Sequence, residues 1–440
     1  MQAAQNDVLR DLVGLLDASP TPFHASREIA ARLETAGFSK VDERDALRVE
    51  PGTRAYVVRG GSLVAFAAGT RPPGEAGFVM IGAHTDSPNL RLKPVPAFAN
   101  AGYRQLAVEP YGGVLLSTWL DRDLGLAGRL ALRGGSSELV RVDRAVAAIP
   151  NLAIHLNREV NKDGLVLNPE KHLHPLFSLD LSESHDFDAL LTEALGPTKA
   201  AGATPRDIVG FDLCLFDVRG AMVGGAGSEF LHSARLDNLV SCHAACHALV
   251  TSGPESSATR VIALFDHEEV GSQSSVGARS ELLRDLLERV ALAFPGATPD
   301  AWARAAARSF FVSVDMAHGV HPNYPDKHDK QHRPVLGRGP VVKVNTNQSY
   351  ATDGIAQGAF VEACRAEGAE PQYFAVRNDI PCGSTIGPIT AARVGVRTVD
   401  VGNPMLAMHS CRETAACSDA LVMAGVLRRL MAEPPTISGA

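Results

Sequence analysis

The sequence lacks what would mark a membrane protein, a disulfide framework or a nucleic-acid binder. No apolar run reaches the ~18 residues that a membrane span needs. The start, Met1-Gln2-Ala3-Ala4-Gln5-Asn6-Asp7, has neither the basic opening nor the apolar core of a signal peptide. Cysteine is scarce: seven in 440 residues, an odd number, with no Cys-x-x-Cys pair. That favours reduced thiols in a cytoplasmic compartment over a disulfide framework. Positive charge is not in excess, since 42 Lys and Arg against 49 Asp and Glu leave a net charge of −7. Such a chain is a poor match for nucleic acid or an anionic membrane. Repeats and low-complexity segments are absent. With 45% hydrophobic and 21% charged residues, collagenous, coiled-coil and disordered classes are excluded. Length allows about three domains, or two large ones. Such a chain buries a core without disulfides or structural metals. Composition says nothing about chemistry, and the 15 histidines matter only where they stand among carboxylates.

Hydrophobic spacing organises the chain. Val8, Leu9, Leu12, Leu15 and Leu16 recur at helical intervals, Ser19-Pro20-Thr21-Pro22 breaks the pattern, and a second helix runs from Ala25 to Leu33 and stops at Gly37. Phe78 to Ala83 is a compact apolar run entered through Pro72-Pro73-Gly74, which reads as a buried strand ending at His84-Thr85-Asp86. From Leu92 to Gly225 the texture is mostly β, with short runs at Val114–Trp119, Leu126–Leu132 and Leu139–Val142. Thereafter strands alternate with helices. Strands are expected at Val261–Phe265, Phe310–Val314, Tyr373–Val376 and Val396–Val401, and helices at Asp237–Leu249, Glu281–Leu292, Thr352–Ala366 and Glu413–Leu430. This alternation predicts an α/β fold with a mixed, largely parallel sheet covered by helices. The predicted domains are 1–92 and 226–440 as two parts of one α/β domain, with 93–225 as a β-rich insertion. Lys199–Ala203 reads as a loop, and the tail from Glu433 as frayed.

Acidic residues and histidines stand just past the strand ends: His84 and Asp86, Glu268 and Glu269, and Asp315. Ligands of open α/β sheets bind outside the carboxyl ends of the strands, so these residues are expected to converge on one crevice. Asp237 and His409 complete the set. Alone, a His-x-Asp is more often a hydrogen-bonding pair, a Glu-Glu pair a solvated face, and an Asp before a helix an N-cap. Together they have the make-up of a two-metal hydrolase. Imidazole and carboxylate suit zinc. Two ions ~3.5–4 Å apart need a bridging carboxylate and a shared water whose pKa they lower. A carboxylate off the metal must accept the proton, and adjacent Glu268 and Glu269 can divide those roles. Asp86, two residues beyond His84 on the same face of a strand, is expected to accept the imidazole N–H.

At these residues the sequence resembles the aspartyl aminopeptidase family of cytosolic co-catalytic zinc metallopeptidases. The matching stretches run in family order through nearly the whole chain. They are Gly82–Pro88, Ala234–Leu239, Glu268–Ser272, Ser313–His318, Val320–Tyr324, Gly339–Asn345, Arg377–Pro388 and Leu406–Glu413. The resemblance implies a zinc-peptidase-like fold with two zinc ions per subunit, other divalent ions being alternatives. His84 and Asp315 would hold one ion, Glu269 and His409 the other, and Asp237 would bridge. Glu268 would be the general base and Asp86 the support of His84. The insertion would be a dimerization domain, and His155 would reach a neighbouring subunit's active site to stabilise the oxyanion. The family's assembly is a dodecamer built from dimers.

The implied reaction releases N-terminal Asp or Glu from peptides with a free amino terminus. Lys343, in a mostly apolar strand, matches the family's candidate for the acidic side chain; the ordinary alternative is an edge lysine that reaches water. His318 and Tyr350 are further substrate-binding candidates. His328 and His332 read as loop or subunit-contact residues, and Cys382 as structural. Gly383 and Gly387 are expected to permit close backbone approach near the substrate. His267 stands where the eukaryotic members of the family carry Asn. A broad-specificity aminopeptidase, a carboxypeptidase, an N-acyl amino acid hydrolase and a non-catalytic binding protein remain the alternatives.

Overall fold

The computed structural model describes residues 2–179, 187–199, 205–253 and 255–435. Two compact units emerge. One comprises Met1–Asp86, Ala221–Met408 and Glu413–Ala440; the other comprises Ser87–Gly220 and His409–Arg412. The divisions fall at 86/87 and 220/221, not at the expected 92/93 and 225/226. The reason is strand pairing: Asn89–Asn100 belongs to the second unit's sheet, and Met222–Gly224 to a sheet of the first.

Among the described residues the first unit holds a nine-stranded mixed sheet. Its order is Ser39–Lys40, Arg54–Arg59, Ser62–Ala67, Thr259–Phe265, Phe78–His84, Phe310–Val314, Arg397–Gly402, Val341–Lys343 and Gln372–Phe374. The central four, from Thr259–Phe265 to Arg397–Gly402, are mutually parallel. Their residues read as continuous apolar runs because both faces are covered. Val79, Ile81 and Ala83 pack on one face with the helices Gln2–Ala18, Pro22–Thr35, Leu236–Thr251, Gly354–Ala366 and Cys417–Ala432. Phe78 and Met80 pack on the other with Leu282–Ala293. Gly82 is required by close approach: a Cβ there would run into the Phe311 ring. Phe311 is fully buried, and its truncation to alanine is expected to cost about 3–5 kcal/mol.

A five-stranded sheet in the same unit joins Met222–Gly224, Phe230–Ser233, Glu413–Ala416, Pro404–Leu406 and Ala317–His318. This corrects the expected closing helix, which begins at Cys417 rather than Glu413. Glu413–Ala416 pairs on both sides, with Phe230–Ser233 and with Pro404–Leu406, so ladder bonds override the helical spacing. The second unit is an antiparallel six-stranded sheet around Leu90, Leu106, Leu126, Leu130 and Leu215. Val114–Trp119, expected as a strand, contains instead a 3-10 turn over Leu116–Trp119. The Thr118 hydroxyl donates to the Leu115 carbonyl at 2.7 Å, a local bond that competes with a ladder. Of the expected loop at 199–203, Lys199 closes a helix, and the remainder lies outside the described residues, as does the expected tail beyond residue 435. No described helix is long and apolar enough to cross a membrane.

Candidate metal centre

Parallel strands deliver their carboxyl ends to one edge. His84 ends Phe78–His84 and lies in register with Phe265. Glu268 and Glu269 follow in the 3-10 turn Glu268–Val270. Asp315 follows Phe310–Val314, its N–H donating to the Val401 carbonyl at 2.9 Å. Asp237 stands at the start of Leu236–Thr251, where it and Asn238 have non-helical dihedrals. It is not a side-chain N-cap. Arg235 (φ 61°) and His267 (φ 66°), just before the two acidic segments, adopt left-handed conformations unusual for non-glycine residues. Such conformations concentrate at functional sites.

His84, 1% exposed, is held from one side and faces carboxylates on the other. Its Nδ1 is 3.0 Å from the Asp86 carbonyl oxygen, which fixes the proton on Nδ1 and makes Nε2 the donor atom for a metal. Nε2 stands 3.4 Å from Asp237 Oδ1 and 3.4 Å from Asp315 Oδ1. Two ligand atoms of one tetrahedral ion, each at ~2.0–2.1 Å, stand about 3.3 Å apart, so the donor set fits zinc. Glu269 completes the cluster: His84, Asp237 and Glu269 each offer a ligand atom within 4.8 Å of the others.

Asp86 departs from its expected role. The strand ends at His84, so same-face alternation does not extend to Asp86. The imidazole meets its carbonyl, with the carboxylate Oδ1 farther away at 3.5 Å. The carboxylate instead accepts the Glu268 N–H on Oδ1 and the Glu269 N–H on Oδ2, each at 3.1 Å.

Negative charge is in excess here. Burial raises the Glu268 carboxyl, and Asp315, Asp86 and Asp237 push it further while His84 opposes them. Burial and then Asp237 raise Glu269. Burial works against a charged His84, but the nearby carboxylates of Asp237, Asp315 and Asp86 outweigh it and raise its pKa well above the ordinary value. Carboxylates crowded in this way call for cations, and bound ions would reverse these shifts.

The other expected residues take varied positions. Lys343 is 2% exposed and is not an edge lysine reaching water. Its Nζ donates to Asp315 Oδ2 at 3.2 Å and lies 5.5 Å from the Tyr350 ring centroid. Tyr350 is buried, and its pKa is raised, chiefly by that burial. His318 is exposed and meets Phe374 edge-on, as does His328. His267 Nδ1 contacts Ser274 Oγ at 2.8 Å. Gly387 leaves room for the Asp400 carboxylate, which a Cβ would strike, whereas a Cβ on Gly383 would meet nothing; close approach explains only the first. In the second unit, His409 (φ 68°) has Nδ1 3.0 Å from the Gly113 carbonyl, which selects Nε2 as its donor atom. His155 is exposed in the turn Ile154–Leu156, beside exposed Leu152 and Leu156.

Sequence reasoning missed three supports. Glu413 Oε2 accepts the Asp237 N–H at 3.1 Å. Asn238 Nδ2 donates to the Val314 carbonyl at 2.8 Å. Cys242 Sγ donates to the His84 carbonyl at 3.0 Å. Asn238 and Glu413 lie within the recognised stretches Ala234–Leu239 and Leu406–Glu413, which was the available signal; Cys242 had none.

Known proteins resemble the chain over nearly its whole length. The family model described as aminopeptidase I zinc metalloprotease (M18) matches residues 15–430. The chain is 48% identical over 421 residues to the "Probable M18 family aminopeptidase 2" of Pseudomonas aeruginosa (strain UCBPP-PA14), covering 94% of this chain and 96% of that one. Among solved structures, a chain in the Ape4 and Nbr1 complex has a TM-score of 0.92 and 38% identity, with 98% and 87% of the two chains covered. The S. cerevisiae mApe1 dodecamer has a TM-score of 0.84 and 30% identity, with 97% of each chain covered.

Proposed function

The chain belongs to the M18 family of aminopeptidase I zinc metalloproteases, and from that premise we propose a dizinc aminopeptidase that releases N-terminal residues, preferentially Asp and Glu, from peptides. The observation that carries this reading is the spacing of 3.4 Å from His84 Nε2 to both Asp237 Oδ1 and Asp315 Oδ1. His84 and Asp315 would hold one ion and Glu269 the other, with Asp237 available to both. His409 is assigned to the second ion on its motif alone. When bound, the ions supply Lewis acidity to the scissile carbonyl and lower the pKa of a water.

The rest of the reaction belongs to the side chains. Glu268 accepts the proton of the attacking water and returns it to the leaving amine. Asp86 holds the turn that aims Glu268, through two backbone N–H groups. Lys343 offers positive charge to an acidic substrate side chain beside Tyr350, and His318 completes the substrate's surroundings. His155, carried on an exposed turn, is assigned to oxyanion stabilisation in a neighbouring subunit. The second unit accordingly serves dimerization, and the dodecamer of the S. cerevisiae relative supports a homo-oligomer built from dimers. None of the seven cysteines of this chain is in a disulfide, which suits a reducing cytoplasm.

The test compares an Asp-peptide bearing a free amine with its N-acetylated form. Cleavage of the free form is expected. Cleavage of the blocked form alone would assign the centre to an N-acyl hydrolase. Equal rates on Asp and Leu substrates would remove the acidic preference.

A further inference from the structure

Lys343 ends Val341–Lys343, an otherwise apolar strand. A buried ammonium costs several kcal/mol unless it is paired and hydrogen-bonded. Its acidic neighbour is a residue of the protein itself, Asp315, at 3.2 Å.

Strand order explains the meeting. Arg397–Gly402 runs between Phe310–Val314 and Val341–Lys343, pairing parallel with the first and antiparallel with the second. Asp315 leaves the end of its strand beside Gly402, where a Cβ would run into the Asp315 carbonyl oxygen. The glycine therefore lets the chain turn in closely at the point from which Lys343 is reached. The two oxygens of Asp315 are divided as a result. Oδ2 accepts from Lys343 Nζ, while Oδ1 stands 3.4 Å from His84 Nε2.

The geometry points to Lys343 as a positioning residue for Asp315: its charge-assisted hydrogen bond holds Oδ2 and so presents Oδ1 alone towards the ion beside His84. This rests on reading the cluster as a metal centre. Hydrogen-bonded supports of ligating carboxylates commonly set metal affinity. The role is separate from selection of an acidic substrate. The first acts on ion retention with no substrate present, the second on discrimination between substrates.

The test is zinc affinity, measured by chelator competition on the full-length protein in its native oligomer. Variants are Lys343→Met, Lys343→Gln, Asp315→Asn and the Lys343→Met, Asp315→Asn double. Lys343→Met is expected to weaken retention of one ion about 10–100-fold. Lys343→Gln, which keeps an N–H donor, should lose less. In the Asp315→Asn background, Lys343→Met should change affinity less than about twofold, as expected of one pathway. Equal zinc affinity in wild type and Lys343→Met, with Asp315→Asn weakened, overturns the positioning role and leaves the metal centre standing. A wild-type protein that retains no zinc removes the metal centre itself and the inference with it. If Lys343→Met does not fold, Lys343→Ala, which also removes the donor, decides by the same comparison, wild-type affinity again overturning the role.

Discussion

Asp86 Oδ2 accepts the backbone N–H of Glu269 at 3.1 Å, and Oδ1 does the same for Glu268. One carboxylate thus secures the turn bearing both acidic side chains, while the carbonyl of the same residue orients His84. Asp86 is fully buried, so neither oxygen can exchange its partner for water without rearrangement.

Asp86→Asn turns one acceptor into an amide donor facing an N–H. Leaving that group unsatisfied is expected to cost about 1–3 kcal/mol, and misdirecting Glu268 should lower kcat about 10–100-fold. Urea denaturation and steady-state kinetics measure the two effects. A variant with wild-type kcat would show that the turn holds its shape without Asp86.

Glu268→Gln should bind zinc as the wild type does but lose about 10²–10⁴-fold in kcat, the range for a general base. Asp237→Asn should instead lose metal. Metal analysis of both proteins beside their rates separates the roles, and wild-type turnover by Glu268→Gln would remove the base assignment.

Exhaustive chelation should abolish hydrolysis and lower Tm, with added zinc restoring both. An ion present at a hundred times its Kd stabilises the folded state by about 2.7 kcal/mol. Full activity in the chelated protein would refute the metal centre.

Asp419 supplies a pH test remote from the chemistry. It accepts the Gly337 and Gly339 N–H groups at 2.7 and 2.8 Å, yet burial, the larger influence, raises its carboxyl to about 6. Unfolded aspartate titrates near pH ~3.9. The folded state therefore binds the proton more tightly. Its stabilising contribution is full below about pH 4 and is lost as pH rises through about 6. Two pKa units correspond to roughly 3 kcal/mol. The stability of wild type relative to Asp419→Asn should fall by that order between about pH 4 and 7. A difference that stays constant across this range contradicts the shift.

Much of this was legible in the chain. The runs Phe78–Ala83, Val261–Phe265 and Phe310–Val314 announce buried strands, and the acidic residues beyond them announce a crevice, because parallel strands end on one edge. Glu413–Ala416 was not legible, since its spacing continues that of the helix after it, and only ladder bonds on both sides make it a strand. The carboxylate of Asp86 was misassigned because strand alternation was extended past the residue where the strand ends.

Local pattern was enough to single out His84, Asp237, Glu269 and Asp315, which the structure brings together, since residue type and position at a strand end are written in short segments. Partnership was decided only in three dimensions. Lys343 meets Asp315 across 28 residues of chain, and Asp86 meets Glu268 across 182. Such contacts follow from strand order, register and a glycine that lets two backbones approach, and none of these leaves a mark in the neighbouring sequence.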